Sequence, residues 1–260
     1  MENKIESIAG FRDTYRIVRF LTSGGMGDIL EAVDSQGRNV VVKIPKNFAP
    51  NRDDPLNEQV INEIENLKLL IHPNIVRYMD SGEYKLKPFL VMEKVEGISL
   101  KQYVEERDYG YEFAVSLASK MLSALKYLRK YRIVHRDLSS TNIIIEPDGS
   151  PKIIDFSTSI RMSSDTDMIR IKGSKIGTEG YSAPEQLKEG ISYIDSDVYS
   201  LGALSFFALT SRKPEKIKKD VKSIERFNGL PLYEIITKCL VEKRDDRETD
   251  LEKIEKIIKA

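Results

Sequence analysis

Three groups of residues in this sequence have the types and spacing for chemistry on phosphate. The first is Leu21-Thr22-Ser23-Gly24-Gly25-Met26-Gly27-Asp28-Ile29. Glycines let backbone amides approach a polyphosphate closely, with no side chain in the way, although any glycine-rich hairpin can look the same. The second is Lys43, inside the apolar run Val41-Val42-Lys43-Ile44. A lysine there is costly to bury without a counter-ion; a lysine reaching to solvent from an edge strand is the plain alternative. Glu63 on the next helix is the candidate partner and Glu65 its rival, and the spacing to His72-Pro73-Asn74 favours Glu63. The third group is Ile133-Val134-His135-Arg136-Asp137-Leu138-Ser139-Ser140-Thr141-Asn142, followed by Asp155-Phe156-Ser157. Phosphoryl transfer needs a carboxylate near the attacking hydroxyl and oxygen ligands for magnesium. Mg2+ commonly takes one or two protein carboxylates beside the phosphates.

These groups need strands and helices to hold them. Tyr15 to Leu21, Ile29 to Val33 and Val40 to Ile44 have strand composition, the last two joined by a hairpin signal at Asp34-Ser35-Gln36-Gly37-Arg38. Glu58 to Leu70 has helical spacing, with Val60, Ile64, Leu67 and Leu70 or Ile71 on one face. His72-Pro73-Asn74 stops that helix, and two strands follow, Ile75 to Met79 and Phe89 to Val95. After Gly97 the pattern turns helical. Ser99-Leu100-Lys101-Gln102 matches a capping box, and Phe113, Leu117, Met121, Leu125 and Leu128 form a core stripe. Ile143-Ile144-Ile145 and Ile153-Ile154 flank Pro147-Asp148-Gly149 as a second hairpin, and helix is expected from Asp195 onward. The chain therefore divides into a small β-rich part to about Met92 and a larger helical part from about Glu96.

Composition excludes several other classes. The 260 residues carry 41 basic and 41 acidic side chains, a balance unlike that of a dedicated nucleic-acid binder. Cys239 is the only cysteine and sits in an apolar stretch, so it reads as a small packed hydrophobe in a reducing compartment. No signal peptide and no long apolar span is visible, and a cytoplasmic setting with no membrane segment in this chain is the expectation.

Across nearly its whole length, and in the family's order, the sequence resembles the eukaryotic-type (Hanks-type) protein kinases, most closely those acting on Ser and Thr. The resemblance implies an α+β, bilobal fold: one kinase domain over 1–260, with a small antiparallel sheet of five strands and one helix to about 92, a hinge at 93–95, and a helical lobe from about 96. It implies ATP and Mg2+ (Mn2+ as the alternative metal) as cofactors and proteins as substrates. Asp137 would be the catalytic base, Lys43 the contact to the α- and β-phosphates, and Glu63 its anchor. Asn142 and Asp155 would hold the metal. ATP would lie against Thr22, Ser23, Gly24, Gly25, Met26, Gly27 and Ile29, with adenine near Met92, Glu93 and Val95. His135 would stack with Phe156, Leu67 and Tyr78 in a spine linking the lobes, and His72 would pack at the end of the Glu63 helix. Gly177 to Glu185 matches the segment where a peptide docks. Glu185 would pair with Arg247, and Asp197 would brace the catalytic loop.

The sequence departs from the family at Thr22, where a first glycine is usual, at Ser157, where a glycine follows Asp-Phe, and at Ser139, where Ser/Thr kinases carry a lysine. Thr141 supplies no arginine in its place, so the loop offers no cation to the transferred group, which predicts slower chemistry by roughly 10²–10³. Thr178 favours a Ser/Thr acceptor. Arg136 beside Asp137 suggests autophosphorylation in the segment holding Ser157, Thr158, Ser159, Ser163, Ser164, Thr166, Ser174 and Thr178, through a transient dimer if in trans. The alternatives are a pseudokinase that binds ATP without transferring it, and a small-molecule kinase, which would typically lack the Ala183-Pro184-Glu185 segment.

Overall fold

The computed structural model describes residues 5–24, 27–46, 55–171, 176–215 and 217–260. The chain forms two compact units, one of Met1–Ile71 with Val76–Val95, the other of His72–Ile75 with Glu96–Ala260.

The first unit is a sheet with one helix. Its strands are β1 (Ser7–Ala9), β2 (Thr14–Ser23), β3 (Gly27–Val33), β4 (Asn39–Pro45), β5 (Tyr78–Tyr84) and β6 (Lys87–Glu93), with α1 (Pro55–Lys68) between β4 and β5 in the chain. All neighbours are antiparallel, in the order β1-β2-β3-β4-β6-β5. Side chains alternate along a strand, so Val40, Val42 and Ile44 enter a core with Ile8, Tyr15, Leu30, Ala32, Phe89 and Val91. Lys43 is thereby sent to the opposite face. The buried stripe of α1 is Val60, Ile64 and Leu67; Leu70 follows it inward while Ile71 is 75% exposed.

Two expectations are corrected here. Among the described residues the sheet has six strands, not five, because Ser7–Ala9 pairs with β2. The buried carboxylate of Asp80 holds the connecting turn: it accepts from the amides of Arg12 and Asp13 and from the Tyr15 hydroxyl. The strand expected at Ile75 to Met79 instead runs Tyr78–Tyr84, and Ile75 makes an isolated parallel bridge to Ile153. Pairing along β6 outweighs the weak strand composition of Asp80-Ser81-Gly82-Glu83, as strand formation depends more on partners than on propensity.

The second unit contains β7 (Ile98–Ser99), α2 (Leu100–Glu106), α3 (Tyr111–Lys130), β8 (Ile133–Val134), β9 (Ile143–Ile145), β10 (Pro151–Ile153), β11 (Ile160–Arg161), β12 (Met168–Arg170), α4 (Pro184–Glu189), β13 (Ile191–Tyr193), α5 (Asp197–Thr210), α6 (Ile217–Ser223), α7 (Pro231–Cys239) and α8 (Leu251–Lys259). Ser99 caps α2 by accepting from the Gln102 amide, but the Gln102 side chain turns to Glu106 rather than completing a capping box. Leu117, Met121, Leu125 and Leu128 are buried on α3, and Phe113 stacks on Tyr103. Helix α5 is buried from Asp197 through Ala208. Gly202 lets it approach α7 closely, since a Cβ there would lie 2.7 Å from the Leu240 nitrogen. Cys239 is fully buried, and burial pushes its thiol up to about 12, as a packed hydrophobe requires. Among the described residues no helix is long and apolar enough to cross a membrane.

Candidate active site

In the sheet unit, β4 and α1 bring Lys43 and Glu63 together at 2.8 Å, with 6% and 0% of the side chains exposed. Glu65 points away and pairs with Lys68 at the surface. The helix period decides between the two acids: Glu63 falls beside Ile64 and Leu67 on the inward side. Across the sheet Ile29 is the register partner of Lys43, and Thr22 that of Ile29. The turn joining β2 to β3 is closed by the Gly24 amide on the Gly27 carbonyl at 2.9 Å and by Ser23 Oγ on Asp28 at 2.6 Å. Gly27 lies against the Ile44 carbonyl so closely that a Cβ would collide, so glycine is required there for strand packing as well as for any ligand. Gly25 and Met26 lie outside the described residues. Met92 is buried, and Glu93 accepts from the Arg77 amide.

In the helical unit, the first turn of α5 organises the loop after β8. Asp197 accepts from the amides of His135 (2.7 Å) and Arg136 (2.9 Å). Burial pushes its carboxyl up to about 6, against the opposing pull of those amides and of Arg136 and Arg129. Arg136 sits at φ +68°, and its Nε donates to the Thr158 carbonyl at 2.5 Å. This left-handed residue turns the chain so that Asp137 follows. Asp137 Oδ1 accepts from the Thr178 hydroxyl at 2.6 Å, and Oδ2 from Asn142 Nδ2 at 3.0 Å. Burial raises the Asp137 carboxyl above its ordinary value, and the bonds from Thr178 and Asn142 oppose that shift.

Asn142 Nδ2 also donates to the Asp137 carbonyl at 2.9 Å, so its amide nitrogen is turned to Asp137. The Ile154 amide donates to the Asn142 carbonyl, which ties Asn142 to the strand end that carries Asp155. Asp155 Oδ1 accepts from the Ser157 amide at 3.1 Å. These oxygens suit a hard cation completed by phosphate, and no cluster of three or more His, Cys, Asp or Glu that could hold a metal by itself occurs among the described residues. Ser157 is buried and is not among the residues with positive φ. His135 meets Phe156 edge-on at 4.7 Å. His72, expected at the end of the Glu63 helix, packs on Tyr127 and bonds Ser123 of α3.

Where the family has its loop lysine, Ser139 is 1% exposed and shares a 3.0 Å hydrogen bond with Thr141. The two hydroxyls that replace cations thus satisfy each other. Gly177, at φ +118°, has no room for a Cβ against Ser182 and the Arg136 carbonyl, and this closeness brings Thr178 to Asp137. Glu185 and Arg247 form a bidentate pair at 2.9 and 3.1 Å. Sequence reasoning missed the bond from the Tyr181 hydroxyl to Ser140 at 2.9 Å; a tyrosine in a buried segment needs a partner, but the sequence does not say which.

The candidate phosphorylation sites separate by burial. Ser157, Thr158 and Ser159 are buried, Thr158 donating to the His135 carbonyl and Ser159 to that of Phe156. Ser163, Ser164 and Thr166 are exposed; Ser174 lies outside the described residues. The Thr178 hydroxyl is engaged by Asp137.

The sheet unit thus holds a buried lysine–glutamate pair, and the helical unit a loop in which an aspartate and an asparagine are bonded to each other. The family model for the protein kinase domain matches residues 15–259, and the chain belongs to that family. It is 28% identical to the probable serine/threonine-protein kinase PknB of Lactococcus lactis over 94% of this chain and 41% of that protein. With the serine/threonine-protein kinase PrkC of Bacillus subtilis it shares 34% identity over 77% of this chain and 31% of that protein. For PknA of Mycobacterium tuberculosis the figures are 33%, 77% and 47%. The chain therefore spans less than half the length of these relatives.

Proposed function

We propose that this chain transfers the γ-phosphoryl group of ATP to Ser or Thr hydroxyls of proteins. The observation that carries it is Asp137, its two carboxylate oxygens occupied by Thr178 and Asn142 at 2.6 and 3.0 Å. Those bonds aim the carboxylate and favour its ionised form, while burial holds its basicity up. In the reaction the acceptor oxygen bonds to the γ-phosphorus, the bond to the β–γ bridging oxygen breaks, and ADP leaves. Asp137 orients the hydroxyl and accepts its proton. Lys43, held by Glu63, steadies the α- and β-phosphates. Asn142 and Asp155 would hold Mg2+, which when bound supplies charge neutralisation for the phosphates. The Ser/Thr assignment rests on Thr178 and on the names of the relatives. Ser163, Ser164 and Thr166 are the exposed hydroxyls suited to self-modification. The buried lone thiol of Cys239 fits a reducing, cytoplasmic setting.

The test is transfer from labelled ATP to a generic protein acceptor, wild type against Asp137→Ala. Transfer that disappears in the variant supports the proposal. ATP binding without transfer by the wild type would make the chain a pseudokinase scaffold instead.

A further inference from the structure

Kinase chains with an arginine beside the catalytic aspartate commonly order their activation segment with a phosphate. In this chain that arginine, Arg136, is 7% exposed and already donates to the Thr158 carbonyl. A different residue holds the exposed part of the segment. Arg132 Nε donates to the Ser163 carbonyl at 2.9 Å, and its Nη2 reaches the Thr166 carbonyl at 2.7 Å and the Asp167 carboxylate at 2.6 Å. The Arg132 carbonyl accepts from the Met162 amide at 2.9 Å. From the other side the Asp167 carbonyl accepts from the Ile194 amide, β12 pairs with β13, and the Ile171 amide donates to Gly190.

Arg132 follows the C-terminus of α3 with φ +58°. Helices commonly end on a left-handed residue at that place, and it is usually glycine because a side chain there is strained. Arginine in a glycine's position is accounted for by what its guanidinium does: it forks to two carbonyls and one carboxylate.

We infer that Arg132 is a positioning residue for residues 160–171, the part of the activation segment that precedes the acceptor-docking residues 177–185, and that Asp167 supplies in the unmodified chain the negative charge that a phosphate supplies elsewhere. The inference rests on the proposed kinase function and adds its regulation. Residues 160–171 are ordered before any phosphorylation, and modification at Ser163, Ser164 or Thr166 is not needed to order them.

The test uses the whole chain after phosphatase treatment. Hydrogen exchange should show residues 160–171 protected in the wild type, and Asp167→Asn should lose that protection by about fivefold or more, the scale of an ion pair with attached hydrogen bonds. Kinetically, Asp167→Asn should raise KM for a protein acceptor by a similar factor while leaving KM for ATP unchanged. Asp167→Glu, which keeps the carboxylate, should retain most of the protection and of the acceptor KM, and a loss as large as that of Asp167→Asn overturns the role given to the charge. Equal protection in wild type and Asp167→Asn overturns the latch. Phosphatase-treated wild type that starts only after a lag, and regains full rate on autophosphorylation, shows that phosphate does the ordering and overturns it equally. If no preparation transfers phosphate, the proposed function fails, and the exchange measurement still decides the latch.

Discussion

The Thr178 hydroxyl donates to Asp137 Oδ1 at 2.6 Å although 41 residues separate them in the chain. This bond fixes the carboxylate from the side opposite Asn142, and it exists because Gly177 lets the backbone press against Arg136 and Ser182. Thr178→Ala should therefore lower kcat about tenfold with ATP affinity nearly unchanged, whereas Thr178→Ser should keep most of the rate. Steady-state kinetics on the three proteins checks both outcomes.

The Lys43–Glu63 pair separates stability from catalysis. Lys43→Met leaves a fully buried carboxylate without its cation, which should cost about 3–5 kcal/mol in chemical denaturation. Adding Glu63→Leu should recover most of that stability, because a buried ion pair replaced by apolar groups is often neutral. Neither the single nor the double variant should transfer phosphate. A double variant no more stable than Lys43→Met contradicts the argument.

Asp197 gives a pH dependence of definite sign. Its folded carboxyl is raised from 3.8 to about 6, so between those values the folded chain holds a proton that the unfolded chain has released. Its contribution to stability is fully present below pH 4 and is lost as pH rises through 6, by about 3 kcal/mol at most. The stability of the wild type minus that of Asp197→Asn should accordingly fall from pH 4 to pH 7. Paired denaturation curves across that range measure it, and a difference that rises with pH refutes it.

Ser139 offers a gain of function. Restoring the family's cation with Ser139→Lys breaks the bond to Thr141 but supplies charge near the transferred group. We expect kcat to rise about tenfold, less than the 10²–10³ typical for a preorganised contact, because the residue starts buried. A fall in kcat with unchanged thermal stability would show that the loop has no use for the charge.

Much of this architecture was legible in the chain. Lys43 inside the apolar run Val41 to Ile44 already called for a counter-ion, the spacing to His72-Pro73-Asn74 favoured Glu63, and proline and glycine marked the turns. The edge strand Ser7–Ala9 was not legible, because three residues carry little periodic signal and are held through Asp80. The strand at Tyr78–Tyr84 was misplaced for the related reason that pairing, not composition, sets it. The Arg132 latch was invisible too, since its partners are mostly main-chain carbonyls and any residue type can provide a carbonyl.

The sequence by itself determined which groups are available: a lysine within an apolar strand, a glutamate on the helix that follows it, an aspartate and asparagine in one loop, and a glycine where no side chain fits. Local periodicity and steric freedom are written residue by residue. Tertiary structure alone decided the partners: Asp197 beneath His135 and Arg136, Thr178 on Asp137, Arg136 closed on Thr158, and Arg132 holding Asp167. Those bonds join segments distant in sequence, and their geometry depends on how buried helices and strands pack, which no local pattern encodes.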